Sequence, residues 1–257
     1  MKKFVQDLQV VENRELNAFH FLLTLQSPIE LPEILPGQFA EVLVDNSPAT
    51  FLRRPLSIHD IDTDKSTITF LIKCVGPATF KLHDLNKDDF INVMYPLGNT
   101  FTLKTDDPVL LIGGGCGVAP LLYLAKYLKA KNSIVSTLIG ARSESDIAEI
   151  KEYSETGSLF IATEDGSKGE KGLVTDHSIF KNVKQFKRIY CCGPEPMMKA
   201  VASIAKKNKI ECEVSLENTM ACGIGACLCC VTETTEGHKC VCTDGPVFNI
   251  NQLKWQI

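Results

Sequence analysis

The chain has 257 residues, 44% of them hydrophobic, long enough at about 100–150 residues per domain for two compact units and a short module around a sizeable buried core. A formal net charge of −4 gives no general attraction to nucleic acid or to an anionic membrane surface, so neither is an expected partner. The opening segment from Met1 to Val10 lacks the continuous apolar core of a signal peptide, and no apolar run approaches the roughly 20 residues that span a bilayer, so a soluble cytoplasmic chain is expected.

From Phe4 to about Leu103, short strand-like runs (Phe19 to Leu25, Phe39 to Val44, Thr67 to Cys74) are separated by Pro, Gly, Asn and Asp turns. This pattern predicts an antiparallel β-barrel over residues 1–104. From Pro108 apolar strands alternate with helical stretches: Val109 to Ile112, Ala119 to Ala130, Ile134 to Ile139, Ser145 to Tyr153, Leu159 to Thr163, Arg188 to Cys192, Glu195 to Lys206 and Glu211 to Leu216. That rhythm predicts an α/β domain built on a parallel sheet over residues 105–216. Residues 217–257 are glycine- and cysteine-rich and too few for an apolar core of their own, so a metal cluster is expected to organise them.

The glycine-rich run Gly113-Gly114-Gly115-Cys116-Gly117-Val118-Ala119-Pro120 stands between the first apolar strand and the first helix of the second unit. Gly113, Gly114, Gly115 and Gly117 there allow the backbone to approach a pyrophosphate, and the helix N-terminus behind them favours its charge. The second strand ends in Gly140-Ala141-Arg142-Ser143, without the acidic residue of the usual NAD fingerprint; Arg142 suits a 2′-phosphate as well as it suits solvent, which leaves NADH against NADPH open. At the carboxyl end of a later strand, Cys192, Gly193 and Pro194 form a tight turn where open α/β sheets bind their ligands, although an ordinary strand-to-helix turn has the same composition.

Eleven cysteines are many for a reducing compartment, and six of them fall between Cys222 and Cys242. Cys222, Cys227 and Cys230 with the distal Cys242 match the C-x4-C-x2-C spacing of a plant-type [2Fe–2S] cluster, and Gly223, Gly225 and Ala226 let the backbone turn its N–H groups toward the sulfurs. A zinc knuckle on Cys227, Cys230, Cys240 and Cys242 is the alternative, weakened by the C-x-C half; Cys229 and Cys240 remain open as substitute ligands or spare thiols.

Three features in order, Arg54-Pro55-Leu56-Ser57, the glycine loop ending Val118-Ala119-Pro120, and Cys192-Gly193-Pro194, resemble the ferredoxin-reductase superfamily. With the tail cysteines and Asp244-Gly245-Pro246-Val247-Phe248, essentially the whole chain resembles the electron-transfer subunits of class 1B dihydroorotate dehydrogenases. The resemblance implies FAD held by the barrel, with Arg54 at the pyrophosphate, Ser57 near the flavin ring, and Pro55 and Leu56 in the same strand. It also implies a second FAD segment at Leu71, Ile72 and Lys73 followed by Ala78-Thr79, where Ala78 replaces the family's usual glycine, and a closing barrel turn at Leu97-Gly98-Asn99. A guanidinium fork suits phosphate oxygens independently of any family.

Nicotinamides deliver two electrons as hydride and a [2Fe–2S] cluster takes one, so a flavin is expected between them, with no side-chain acid, base or nucleophile required. The resemblance implies an FMN-containing dihydroorotate dehydrogenase subunit of pyrimidine synthesis as partner, in a heterotetramer. A reductase subunit serving ferredoxin, sulfite reductase or a hydrogenase is the alternative within this class. A cysteine-rich redox-sensing or zinc-binding interaction protein is the alternative outside it.

Overall fold

The computed structural model describes residues 2–44 and 50–257. The first unit contains β1 (Phe4–Glu15), β2 (His20–Gln26), β3 (Phe39–Val42), β4 (Arg54–Ser57), β5 (Asp60–Asp62), β6 (Thr67–Lys73), helix α1 (Pro77–His83) and β7 (Phe90–Leu97). They form one 7-stranded antiparallel sheet in the order β4-β3-β7-β1-β2-β6-β5. Alternation decides which side chains meet inside it: Leu8 and Val10, Phe21, Leu23 and Leu25, Ile68, Phe70 and Ile72, and Ile91, Val93 and Tyr95 recur at every second position and share one core. On β3 the same alternation sends Ala40 and Val42 into that core. Phe39 turns to the opposite face, where it packs with Leu97, Cys230 and Cys242.

The second unit adds β8 (Pro108–Gly114), α2 (Leu121–Ala130), β9 (Ile134–Ala141), α3 (Ile150–Thr156), β10 (Ser158–Thr163), β11 (Glu170–Lys171), β12 (Arg188–Cys192), α4 (Glu195–Asn208) and β13 (Glu211–Ser215). Its strands are parallel and buried on both faces, which is why β8, β9 and β12 read as near-continuous apolar runs. Val109 and Leu111 of β8 pack against α2 and Tyr153 of α3, whereas Leu110 and Ile112 pack with Met198, Val201 and Ala205 of α4. Helices therefore cover both faces, as expected. The helix expected over Ser145 to Tyr153 begins only at Ile150: Ile147 and Ala148 are drawn into the core, and Glu149 takes a left-handed backbone (φ 56) that breaks helical continuity.

The tail supplies the hairpin β14 (Val231–Thr234) and β15 (Gly237–Cys240), then β16 (Val247–Asn249), which pairs antiparallel with β13 at the outer edge of the parallel sheet. Val241, Phe248, Ile250 and Leu253 enter the same apolar cluster as Leu110, Ile112 and Met198, so the tail borrows its core from the nucleotide sheet. Asn99 laces it to the barrel: Asn99 Nδ2 donates to the carbonyls of Asp244 (2.9 Å) and Val247 (2.8 Å), and Val247 N–H donates to Asn99 Oδ1 at 2.9 Å. Among the described residues no helix is long and apolar enough to cross a membrane.

Candidate functional site

Strands β8 and β12 are neighbours in register, with Cys192 opposite Gly113, so the glycine loop and the Cys192-Gly193-Pro194 turn leave the sheet side by side. Since β8 lies between β9 and β12, this is the point where the chain order reverses, and a crevice opens there at the carboxyl edge. A Cβ on Gly117 would sit 2.5 Å from the Cys192 carbonyl oxygen and 2.5 Å from Gly193 Cα, a contact of backbone against backbone that only glycine permits. Gly115 is the opposite case: its φ is +55, and a Cβ there would meet nothing within 4 Å. Its open side faces a cleft of about 560 Å³ lined by Gly114, Gly115, Arg142, Glu164, Gly193 and Pro194. A cradle free of side chains is what a bound pyrophosphate needs.

Cys192 is buried behind two residues that line this cleft, Cys116 and Glu217, and burial, then Glu217 and Cys116, push its thiol well above the ordinary value. Burial and Glu217 raise Cys116 to about 12. Glu217 lines the cleft beside them, and burial raises its carboxyl too. These thiols are therefore neutral and suited to touching a ring rather than attacking it. Cys116 and Glu217 were not legible as site residues; position alone, just beyond the carboxyl end of β13, is the signal that finds Glu217.

On the barrel side, β4 is an edge strand whose four residues Arg54, Pro55, Leu56 and Ser57 are half-buried, which leaves one strand edge open to a ligand. The two arginines differ. Arg53 is fastened to the Glu41 carbonyl (3.2 Å), the Asn92 carbonyl (3.3 Å) and Asn92 Oδ1 (2.6 Å), whereas Arg54 reaches only the carbonyls of Leu52 (2.8 Å) and Arg53 (3.3 Å) among the described residues. Leu71 and Ile72 are buried at the end of β6, and Cys116 Sγ lies 3.8 Å from the Leu71 carbonyl oxygen, so β6 meets the glycine loop. Lys73 lines the cleft, 4.0 Å from Asp146. Ala78 turns into the barrel core. The Thr79 hydroxyl accepts the N–H groups of Val75 (2.9 Å) and Gly76 (3.1 Å) and donates to the Gly76 carbonyl (3.0 Å), closing the turn that starts α1.

In the tail, Cys230 and Cys242 are buried, Cys222 and Cys240 half-buried, and Cys227 and Cys229 exposed. Backbone N–H groups aim at three sulfurs: Cys227 N–H at Cys222 Sγ (3.4 Å), Gly225 N–H at Cys242 Sγ (3.2 Å) and Cys242 N–H at Cys230 Sγ (3.4 Å). Burial works against ionisation of Cys222, but the N–H groups of Ile224, Cys227 and Ala226 and the Cys227 thiol outweigh it and bring Cys222 down to about 6. Thiol contacts pair Cys222 with Cys227 and Cys230 with Cys242, and Cys240 also touches Cys230. Among the described residues no three His, Cys, Asp or Glu side chains converge as ligands of a single ion. Two thiol pairs surrounded by N–H donors are the donor set of a two-iron cluster, so the residues fit that group.

Beneath this loop lies Glu41 of β3, a residue that belongs to no sequence motif. It is 0% exposed, neither carboxyl oxygen has a hydrogen-bond partner among the described residues, and its Cγ fills the space where Gly223 lacks a side chain. Burial raises the carboxyl to about 7, with Cys222 adding to the rise and Arg53 and Arg54 opposing it.

A family model described as the iron-sulfur cluster binding domain of dihydroorotate dehydrogenase B matches residues 217–254, and one described as the oxidoreductase NAD-binding domain matches residues 111–203. The dihydroorotate dehydrogenase B (NAD(+)) electron transfer subunit of Caldanaerobacter subterraneus is 37% identical over 244 residues, covering 93% of this chain and 94% of its own length. The protein of the same description from Shouchella clausii is 36% identical over 260 residues, covering 98% and 99%. Among solved structures, an NADH-dependent reduced ferredoxin-NADP oxidoreductase studied for flavin-based electron bifurcation superposes with a TM-score of 0.85 at 29% identity, over 96% of this chain and 90% of that one. The FAD/NAD-binding domain of a nitric oxide dioxygenase from Vibrio cholerae shares the fold at a TM-score of 0.70 and 18% identity, over 81% and 98%. Full-length identity to these relatives, together with a cluster tail and a nucleotide cleft built on one sheet, places the chain in the family of dihydroorotate dehydrogenase B electron transfer subunits.

Proposed function

We propose that this chain is the electron-transfer half of a two-component dihydroorotate dehydrogenase, moving electrons between NAD(H), FAD, a [2Fe–2S] cluster and a separate FMN-containing catalytic subunit. The observation that carries the reading is the meeting of three motifs: the open face of Gly115 in one cleft with Gly193 and Pro194, the Cys116 contact with the end of β6, and the cluster loop lying on Glu41 of β3. FAD, when bound, accepts a hydride and releases electrons singly, which is the conversion that a one-electron cluster requires.

The chain's own part is to bind and orient. Arg54 offers its guanidinium to the FAD pyrophosphate, and Ser57 offers a small hydroxyl to the ring. Pro55, Leu56, Leu71, Ile72 and Lys73 wall the site, and Ala78 and Thr79 hold the turn beyond them. Gly113, Gly114, Gly115 and Gly117 receive the nicotinamide nucleotide, whose ring end lies against Cys192, Gly193 and Pro194. Cys222, Cys227, Cys230 and Cys242 hold the cluster. The units run over residues 1–104, 105–216 and 217–257, and the assembly is a cytoplasmic heterotetramer.

Anaerobic purification from native cells tests the reading. A yellow-brown protein with stoichiometric flavin, iron and sulfide is expected, reduced by NADH and retained with an FMN subunit identified by mass; comparing NADH with NADPH sets the nucleotide preference. Retention instead with a ferredoxin or another redox protein would favour the second reading, which the 29% identity to the NADH-dependent reduced ferredoxin-NADP oxidoreductase supports. A colourless protein holding zinc would sink both.

Arg54→Ala is expected to weaken FAD retention by about 1.5–3 kcal/mol, the range for a hydrogen bond to a charged group. Equilibrium dialysis against free FAD measures it, and unchanged affinity would remove Arg54 from the site. Gly115→Val places a branched side chain in the open cradle at a positive φ, a conformation that costs an L-residue roughly 1–2 kcal/mol. Flavin and iron content should stay normal while the NADH concentration needed for half-maximal flavin reduction rises. Unaltered dependence on NADH would rule the loop out.

A further inference from the structure

His59 lies two residues beyond Ser57, is 1% exposed, and has both ring nitrogens engaged across the seam between the barrel and the nucleotide domain. Nδ1 meets the carbonyl oxygen of Ala119, the end of the glycine loop, at 2.7 Å; Nε2 meets the carboxylate of Glu149, itself 3% exposed in its side chain. A carbonyl cannot donate, so Nδ1 carries hydrogen, and the contact with Glu149 needs one further proton on either partner. The pair is thus neutral as a unit, with both ring nitrogens hydrogen-bonded, the condition under which such groups survive burial. The His59 backbone is tied in as well: its N–H donates to the Thr69 carbonyl at 3.0 Å and its carbonyl accepts the Tyr123 N–H at 3.0 Å. Glu149 delivers its carboxylate from a left-handed backbone (φ 56) that disfavours a non-glycine residue, so a glutamate is held where glycine would be easier.

We propose that the His59–Glu149 pair is the joint that sets how the glycine loop stands against the flavin strand, which makes His59 and Glu149 positioning residues for hydride transfer. This rests on the reading of the cleft and of β4 as nucleotide and flavin sites. One hydrogen-bonded side chain connects the two motifs: the chain enters His59 directly from Arg54–Ser57, and its ring ends on the loop that begins at Gly113. A break in this joint leaves each binding motif intact and alters only the approach of one ring to the other. The expected signature is a lower limiting rate with nucleotide affinity preserved.

The test uses the flavin- and cluster-loaded protein with His59→Gln, Glu149→Gly and Glu149→Gln. Glycine removes the carboxylate while relieving the left-handed backbone, so this variant folds without the strain; glutamine keeps a polar partner for Nε2 and leaves the unit neutral. Anaerobic stopped-flow reduction of the flavin over a range of NADH concentrations, together with the charge-transfer absorbance of the reduced protein titrated with NAD+, gives the readouts. His59→Gln and Glu149→Gly are expected to lower the limiting rate by about tenfold or more, since misplacement on the order of 1 Å has effects of this size. They should also weaken the charge-transfer band at unchanged half-saturation, and Glu149→Gln should restore both. A limiting rate and band unchanged in His59→Gln and Glu149→Gly, with only the melting temperature lowered, would reduce the pair to a structural contact and overturn the proposal. An unmodified protein whose flavin NADH does not reduce would overturn the reading of the site itself, and the joint with it.

Discussion

Cys242→Ser is expected to strip the tail of its iron, whereas Cys240→Ser leaves the iron in place. Cys242 is buried, its sulfur accepts the Gly225 N–H, and its own N–H supports the Cys230 sulfur, so it stands inside the ring of donors that an anionic cluster requires. Cys240 is half-buried, and its backbone N–H is committed to Asp244 Oδ2 at 2.8 Å. Serine offers a hard, weakly acidic hydroxyl where iron–sulfur chemistry needs a soft thiolate. Iron and sulfide analysis and the visible spectrum read the outcome. The iron-free variant should still let NADH reduce the flavin, because the glycine loop, Cys192 and β4 are untouched, while reduction of the partner subunit should fail. The reverse result for the two serine variants would move the ligand to Cys240, and partner reduction at the normal rate without iron would mean that electrons bypass the tail.

At pH 8, Glu41→Gln should make the protein more stable than the unmodified chain, with the difference closing as the pH falls toward 4.5. The carboxyl moves from an ordinary 4.5 to about 7 on folding, so between these values the folded protein keeps a proton that the unfolded chain has released. The stability contributed by this group is therefore complete below the unfolded value and is lost as pH rises through the folded one, an effect on the order of 3 kcal/mol. Glutamine mimics the protonated acid and never has to ionise in a site where, among the described residues, the carboxyl has no hydrogen-bond partner. Thermal melts of both proteins across this pH range measure the gap. A constant difference, or greater stability of the unmodified chain at pH 8, would show that Glu41 is an ordinary ionised carboxylate.

Backbone chemistry explains what was legible in the sequence. A pyrophosphate site needs a side-chain-free turn, so it leaves glycines in a row; a two-iron cluster needs thiolates at a fixed reach, so it leaves cysteines at a fixed spacing; strands buried on both faces leave apolar runs. Each is a local requirement and is written locally. Glu41, the His59–Glu149 pair and Glu217 carry no such mark, because their environment is assembled by residues far away in the chain: Gly223 for Glu41, Ala119 for His59, Cys116 and Cys192 for Glu217. The helix expected over Ser145 to Tyr153 shows the same limit. Its periodicity is sound, but the tertiary demand that Glu149 reach His59 prevails over propensity until Ile150. Thr79 shows the complementary one: the resemblance implies a flavin segment there, and its hydroxyl serves the turn at Gly76.

The pairing of β16 with β13 bears on how the protein can be taken apart. β16 follows every other named strand in chain order and occupies the outermost position of the sheet beside β13. A truncation before Val247, meant to yield a simpler flavoprotein, would uncover the N–H and C=O groups of β13 together with Val214 and Cys212 of the core beneath, an open edge of the kind that recruits other chains into aggregates. Cluster-free protein for biophysical work is better obtained by exchanging single cysteines, with the final strand left in place to close the sheet.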